Sequence, residues 1–261
     1  MTMPPHDPRA YAASVGLDPD KRPRHVAVIM DGNGRWAEGR GQPRAAGHAQ
    51  GATTVRLMTE ECVRLGIGQL TLYCLSHENW KRPQHEIDFL MALLKQYLID
   101  ERPLIRDQNI RLAIIGSRDG IPADVQSEMD ESLRLSADHT GLTLCLAINY
   151  GSRQEIAGAV RAIAAKVAAG QITTDSIDER TIESHLLTAG MPDPDLLIRT
   201  AGEMRISNYL LWQISYSELW ITELHWPDVT AATLHDACRD FATRNRRFGG
   251  LASMTGAATP C

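Results

Sequence analysis

The chain has 261 residues, of which 43% are hydrophobic and 23% charged, with a formal net charge of −5. That is ordinary globular composition, long enough for one sizeable core, and the acidic balance gives no bulk electrostatic case for nucleic acid. No apolar run approaches the ~20 residues of a membrane span, and the five cysteines are odd in number and form no Cys-x-x-Cys pair, which argues against a disulfide framework or zinc site and fits a reducing cytosol.

In chain order, residues 1–24 hold five prolines and no apolar signal-peptide core, and read as a loose tail. His25 to Met30 is the first strand, an unbroken run rich in β-branched residues, as expected of a strand buried on both faces. From Gly47 to Leu65, Val55, Met58, Cys62 and Leu65 keep a helical period. Gln69 to Leu75 is the second strand. Pro83 opens a long helix with Ile87, Leu90, Met91, Leu94, Tyr97 and Leu98 on one side. Arg111 to Ile115 is the third strand, residues 122–137 a helix, and Leu142 to Ile148 the fourth strand. Helices follow over 154–169 and 177–189. Leu196 to Ile198 and Glu218 to Ile221 are strands five and six, and a helix over 229–245 ends the pattern. Strand–helix alternation without repeats or linkers predicts a single α/β domain. Its centre is a mainly parallel six-stranded sheet flanked by helices.

Polar residues cluster where these strands end, which is where open parallel sheets bind ligands. The first loop is Asp31-Gly-Asn-Gly-Arg-Trp36: a carboxylate, a bare backbone turn and a guanidinium. This suits a phosphate, with or without a divalent metal. On this stretch alone a plain Asp-Gly-Asn-Gly turn is equally well supported. Further loops follow strand two (Ser76 to Arg82), strand four (Asn149 to Arg153) and strand five (Arg199 to Ser207). Any one of them is unremarkable, but four on one rim favour an anionic ligand. Arg35, Arg44, Arg82, Arg199 and Arg205 fall in or beside them. In an acidic chain, such local positive charge points to a small phosphorylated ligand rather than a long polyanion. Asp31 and Glu218 are the candidate carboxylates for a hard cation, although on spacing Glu218 reads more simply as an acid at a strand edge. Tryptophans are mostly core or rim residues, but Trp36 and Trp80 follow the polar loops and are placed to wall a pocket. P-loop, dinucleotide-binding, nucleophile-elbow and His-Glu-x-x-His patterns are absent.

Taken together, these stretches resemble the cis-prenyltransferases, specifically the bacterial isoprenyl (undecaprenyl-type) diphosphate synthases. The resemblance runs from about His25 to Gly250. It rests on His25 to Trp36, Gly47-His48, Ser76-His-Glu-Asn-Trp80 with Arg82, Asn149-Tyr150-Gly151, Arg199-Thr-Ala-Gly-Glu with Arg205-Ile-Ser-Asn208, and Arg246-Arg-Phe-Gly-Gly250. It implies a catalytic domain over 25–250 between an N-terminal tail and a 251–261 tail. It also implies a cytoplasmic homodimer without a transmembrane segment, in transient contact with the inner membrane face. The activity implied is Mg²⁺-dependent cis addition of isopentenyl diphosphate to an allylic diphosphate such as farnesyl diphosphate, giving a polyprenyl diphosphate. The product would be undecaprenyl diphosphate or, alternatively, a shorter cis-prenyl diphosphate.

The resemblance also implies residue roles. Asp31 is the essential carboxylate and a Mg²⁺ ligand, with Glu218 the second. Gly32, Asn33, Gly34, Arg35, Arg44 and His48 hold the allylic diphosphate. Arg199, Arg205, Ile206 and Ser207 hold that of isopentenyl diphosphate. Asn79, helped by Ser76, is the residue usually cast as proton acceptor, although an amide is a very weak base and positioning a proton path suits it better. Trp36, His77, Glu78, Trp80 and Arg82 complete the substrate site. Arg247-Phe-Gly249 resembles a motif that reaches into the partner subunit's phosphate site. Three positions depart from the family pattern: His77 stands in place of Ser or Thr, Ala201 in place of Gly or Ser, and Met204 where some relatives carry a metal-touching His. A nucleotide or sugar-phosphate enzyme with the same rim, and a non-catalytic subunit of this fold, are the competing classes. Phe89, Leu90, Leu93, Leu94 and Leu98, with the apolar fourth strand, disfavour the first, and retention of Asp31 and the arginines disfavours the second.

Overall fold

The computed structural model describes residues 7–244. The Arg246–Gly250 motif, the 251–261 tail and the end of the last helix at Asn245 lie outside these residues.

The elements run α1 (Pro8–Ser14), β1 (His25–Ile29), α2 (Asn33–Glu38), α3 (Arg44–Leu65), β2 (Gln69–Ser76), α4 (Gln84–Asp100), α5 (Arg102–Asp107), β3 (Arg111–Ile115) and α6 (Ala123–Leu135). They continue with β4 (Thr143–Tyr150), α7 (Ser152–Ala168), α8 (Glu179–Glu183), β5 (Leu196–Arg199), β6 (Glu218–Ile221) and α9 (Ala231–Thr243). The six strands form one sheet in the order β3-β4-β2-β1-β5-β6, and every neighbouring pair is parallel. Their carboxyl ends therefore share a single rim, as the strand–helix alternation predicts. β1 and β5 are buried along their whole length. One face of the sheet packs with α3, α4, α6 and α9 through residues such as Met58, Leu70, Leu146 and Leu234. The other face carries Tyr150, Tyr209 and Leu210.

Part of the expected loose tail is built into the fold. Pro8–Ser14 is helical, Asp7 caps it, and Ala12 and Leu17 are core residues. Tyr11 Oη donates to Glu61 Oε1 at 2.7 Å, tying α1 to α3. The Asp-Gly-Asn-Gly stretch is also more than a turn, because α2 starts at Asn33. Gly32 before it holds φ +99°, where a side chain would also lie 2.7 Å from the His225 ring. The helix expected over 177–189 is only five residues long. Ile177 and Leu187 are exposed and Leu186 is the one buried residue between them, too little apolar contact to carry a longer helix.

Candidate active site

β1 ends one residue before Met30, and Asp31 then sits beyond the carboxyl end of the sheet beside Arg199, the last residue of β5. Asp31 Oδ2 accepts from Arg199 Nη2 at 2.9 Å, and Oδ1 accepts from the Gly32 N–H at 2.7 Å. Arg35 Nη2 stands 3.3 Å from Oδ1. Burial pushes the Asp31 carboxyl up, but the Arg199 and Gly32 hydrogen bonds and the charges of Arg199 and Arg35 outweigh it. The net pKa lies below the usual carboxylate value. Asp31 is therefore ionised at neutral pH.

Arg199 is 3% exposed. Its Nη1 donates to Ser207 Oγ at 2.9 Å and to the Arg205 carbonyl, while its buried Nε has no hydrogen-bond partner among the described residues. The loop that brings Ser207 here is bent through left-handed backbone at Ser207, Asn208 and Leu210. Tyr209 anchors it, stacking on Tyr73 at 4.3 Å and donating to the Thr71 carbonyl at 3.1 Å. Arg205 is exposed and, like Arg35, pairs with Glu203.

A second cationic group lies across the mouth. Glu86, in the first turn of α4, receives Arg82 Nη1 at 2.7 Å, with Arg44 Nε at 3.8 Å and His48 Nε2 at 3.9 Å. Burial and then the Arg82 charge lower the His48 pKa to about 4, so its imidazole is neutral; its buried Nε2 has no hydrogen-bond partner among the described residues. The rim is thus a mesh of ion pairs. An incoming anion would take over arginines that acids now hold.

Between the two groups opens a cavity of about 610 Å³. Asp31, Asn33, His48, Ser76, Glu78, Asn79, Arg82, Arg199 and Ser207 line its polar end, and the deeper walls are apolar, with Val55, Leu90, Leu93, Leu94, Leu146 and Ile148. Asn33 Oδ1, at the start of α2 two residues after Asp31, is a buried oxygen without a hydrogen-bond partner among the described residues. The Asp31 carboxylate and this oxygen are the rim's candidates for a hard cation. Among the described residues, no group of three or more His, Cys, Asp or Glu side chains is placed to hold a metal.

Asn79 Oδ1 accepts the Ser76 N–H at 3.0 Å within a reciprocal cap of the 3-10 turn over His77–Lys81. Asn79 also lines the cavity, so this cap holds its side chain at the polar end.

Several expected site residues lie elsewhere. Glu218 is the first residue of β6 and pairs in register with Leu196, at the amino rim. Three residues to Ile221 put it at least roughly 10 Å along the strand from the Asp31 rim. It pairs there with Arg244 at 2.8 Å, so within one chain it is no co-ligand of Asp31. Trp36 does not wall the cavity: its Nε1 donates to Asp228 at 2.7 Å and Arg40 covers its ring. Trp80 and His77 turn to Asn149 Oδ1, at 2.6 and 3.3 Å, and pin the loop to the end of β4. Gly32, Gly34, Arg35, Arg44, Arg205 and Ile206 border the mouth region without lining the cavity.

Three site residues carried no role in the sequence reading. Trp226 lines the cavity and bonds the Gly51 carbonyl at 2.9 Å. Asn208 donates to Glu78 Oε1 at 2.8 Å, and the Arg-Ile-Ser-Asn run that contains it was the available signal. Glu86 could have been found from its i+4 spacing to Arg82.

Residues 29–249 match the family described as "Putative undecaprenyl diphosphate synthase". The chain is 53% identical to an isoprenyl transferase of Rhodopirellula baltica over 88% of this chain and 94% of the relative, and 50% identical to one of Geobacter sulfurreducens over 90% and 95%. Among solved structures it resembles lavandulyl diphosphate synthase of Lavandula x intermedia, in complex with dimethylallyl diphosphate. The TM-score is 0.86 and the identity 39%, over 88% of this chain and 99% of that one. It also resembles a probable undecaprenyl diphosphate synthase of Campylobacter jejuni, with a TM-score of 0.72 and 31% identity over 87% and 98%.

Proposed function

Because this chain belongs to the undecaprenyl diphosphate synthase family of isoprenyl transferases, we propose that it adds isopentenyl diphosphate repeatedly, in cis, to an allylic diphosphate such as farnesyl diphosphate. The proposed product is undecaprenyl diphosphate, a cell-wall lipid carrier. The observation that carries this reading is a single cavity whose mouth has two arginine-bearing groups and whose interior is apolar. Two diphosphates need two cationic sites, and a growing hydrocarbon needs a dry wall.

Arg44, His48 and Arg82, with the Asn33–Arg35 loop, would hold the allylic diphosphate. Arg199, Arg205 and Ser207 would hold that of isopentenyl diphosphate. Asp31, with the unpartnered Asn33 Oδ1, fits Mg²⁺, which takes few protein oxygens and completes its shell with phosphate and water. When bound, the ion would neutralise charge on the departing diphosphate. Asn79 would orient substrate through its amide N–H groups, and the proton lost on condensation would pass to phosphate or water. The exposed apolar residues Leu219, in the edge strand β6, and Leu224, three residues beyond it, support a homodimer. No described helix is long and apolar enough to cross a membrane. We place the enzyme in the cytoplasm, with product release at the inner membrane face.

The test is product analysis with isopentenyl diphosphate and either farnesyl or geranyl diphosphate, with and without Mg²⁺. Long cis-polyprenyl products only with metal support the reading, products of one or two added units support a short-chain synthase, and no condensation refutes both.

A further inference from the structure

Asn149, the last residue but one of β4, is 4% exposed and holds φ +48°, left-handed backbone that asparagine tolerates better than most residues. Leu75 pairs with Ile148 and Ser76 with Tyr150, so Asn149 is an extra residue bulged out of the β2–β4 ladder. Its side chain uses both ends. Nδ2 donates to the Ser117 and Asp119 carbonyls at 3.2 and 3.0 Å, in the loop after β3. Gly116 lets that loop come close, since a side chain there would lie 1.8 Å from the Ile148 carbonyl. Oδ1 accepts from Trp80 Nε1 at 2.6 Å and lies 3.3 Å from His77 Nδ1. The Trp80 ring also faces Gly120 of the same loop.

A 3-10 turn repeats every three residues, so side chains at i and i+3 share a face. His77 and Trp80 share the face that meets Asn149. Asn79, with Ser76 before the turn and Arg82 after it at the same spacing, lines the cavity, which Asn149 does not. Anchoring one face therefore fixes the other. It also fixes Arg82, which reaches Glu86 in the group assigned to the allylic diphosphate. Glu78 ties the turn separately to Asn208, at 2.8 Å.

We propose that Asn149 is a positioning residue for the condensation, holding the turn so that Asn79 and Arg82 face the allylic diphosphate. It touches no reacting atom and acts through Trp80 and His77. This rests on the function proposed above and adds a residue outside the cavity on which the allylic site depends.

Asn149→Gly removes the side chain and keeps the left-handed backbone. It should lower kcat and raise the KM for the allylic diphosphate about tenfold, the worth of one net hydrogen bond, while the KM for isopentenyl diphosphate stays unchanged. A general loosening of the fold would move both. Asn149→Asp keeps the accepting oxygen and should recover most of the allylic affinity. The indole N–H resonances report without catalysis. That of Trp80 should shift in Asn149→Gly, while those of Trp36 and Trp226, bonded to Asp228 and to the Gly51 carbonyl, stay in place. Should Asn149→Gly fail to fold, Asn149→Ser, too short to span both loops, carries the same expectations. An unmoved Trp80 resonance, equal KM changes for the two substrates, or an Asn149→Asp as impaired as Asn149→Gly overturns the proposal. If the wild type condenses nothing, the elongation reading fails, and the Trp80 resonance still decides whether Asn149 holds the turn.

Discussion

Asp31 and Arg199 are joined at 2.9 Å across the ends of two neighbouring strands. Ile29 and Arg199 are register partners in the β1–β5 pair, so the sheet itself sets this contact. Arg199 is nearly buried, and without Asp31 its guanidinium would keep only Ser207 and a carbonyl. The carboxylate assigned to the ligand is therefore also part of the frame that holds the arginine.

Asp31→Ala should lose nearly all turnover, at least about 100-fold, because the group facing the leaving diphosphate is gone. It should also cost roughly 1–3 kcal/mol of stability, since a buried donor is left unpaired. Asp31→Asn keeps an acceptor for Arg199 and should recover most of the stability but little of the activity. Urea unfolding run beside steady-state assays checks both. Near-normal turnover from a folded Asp31→Ala would remove Asp31 from the mechanism.

Arg199→Ala and Arg205→Ala should both weaken isopentenyl diphosphate more than the allylic substrate, each by the roughly 1.5–3 kcal/mol of a charge-assisted hydrogen bond. They should differ in stability. The Arg205 side chain is 60% exposed, so its loss should leave the melting temperature within a degree or two. Loss of Arg199 should lower it clearly, because Asp31 Oδ2 and Ser207 lose their buried donor. Separate titrations of the two substrates, with melting curves, decide this. Equal affinity losses for both substrates would show that the two phosphate sites are divided wrongly.

The strands were legible because β-branched apolar runs between Gly, Pro and Asn breaks have few other solutions. Their order in the sheet was not, since it depends on which crossovers pack. α2 was hidden because Gly32, Asn33 and Gly34 are turn formers by propensity. What makes them helical is tertiary, a close approach of α3 in which a side chain at Gly47 would lie 1.9 Å from the Asn33 carbonyl. The rim was legible as four strand-end loops. Which polar residues turn inward was not: His77 and Trp80 look like their neighbours Ser76 and Asn79, yet Asn149 draws them away. Glu218 was misplaced although its position carried the answer. As the first residue of a parallel strand, it lies at the rim opposite the strand ends.

Acid should destabilise the fold through two histidines before the carboxylates respond. Burial lowers His25 to about 4, against the Pro192 carbonyl that its Nδ1–H meets at 2.7 Å. His48 is lowered to the same value by burial and the Arg82 charge. Between about pH 6.5 and 4 the unfolded chain then binds more protons than the folded one. Stability should be full above the ordinary histidine pKa and fall through that window, by about 3 kcal/mol per group at most. Urea unfolding at a series of pH values measures the slope, and His48→Gln should remove about half of it. A slope untouched by either His25→Gln or His48→Gln would place its origin elsewhere.

Ala201 holds φ +68°, in the left-handed region. An alanine there costs roughly 1–2 kcal/mol, and glycine relieves it at the expense of a freer unfolded chain and one buried methyl. Ala201→Gly should therefore leave stability unchanged or raise it by up to about 1 kcal/mol, where the same change at an ordinary buried site destabilises. Thermal melts decide it, and a loss greater than about 1 kcal/mol would mean that contact of the methyl with Gly32 outweighs the strain.

Cys74 is placed to act on product length from the sheet side of the cavity. Strict alternation would send either Cys74 or Leu75 inward, yet both line the cavity. The register explains this: Tyr73 pairs with Ala147 and Leu75 with Ile148, so Cys74 is an extra residue bulged out of the β2–β4 ladder. The bulge turns the end of β2 towards the mouth and leaves the small Cys74 side chain beside Tyr97. Burial pushes its thiol up to about 12, so it is an uncharged spacer rather than a nucleophile at neutral pH. Cys74→Leu adds bulk where the tail would pass, and a packed wall absorbs extra methylenes only at about 1–3 kcal/mol. The expected outcome is a shift to shorter products with the first condensation retained and a modest loss of stability. Chromatography of dephosphorylated products, paired with a melt, separates this from simple overpacking, in which stability falls and the length distribution stays. A stable, active Cys74→Leu enzyme with unchanged products would assign length control to the α4 side alone.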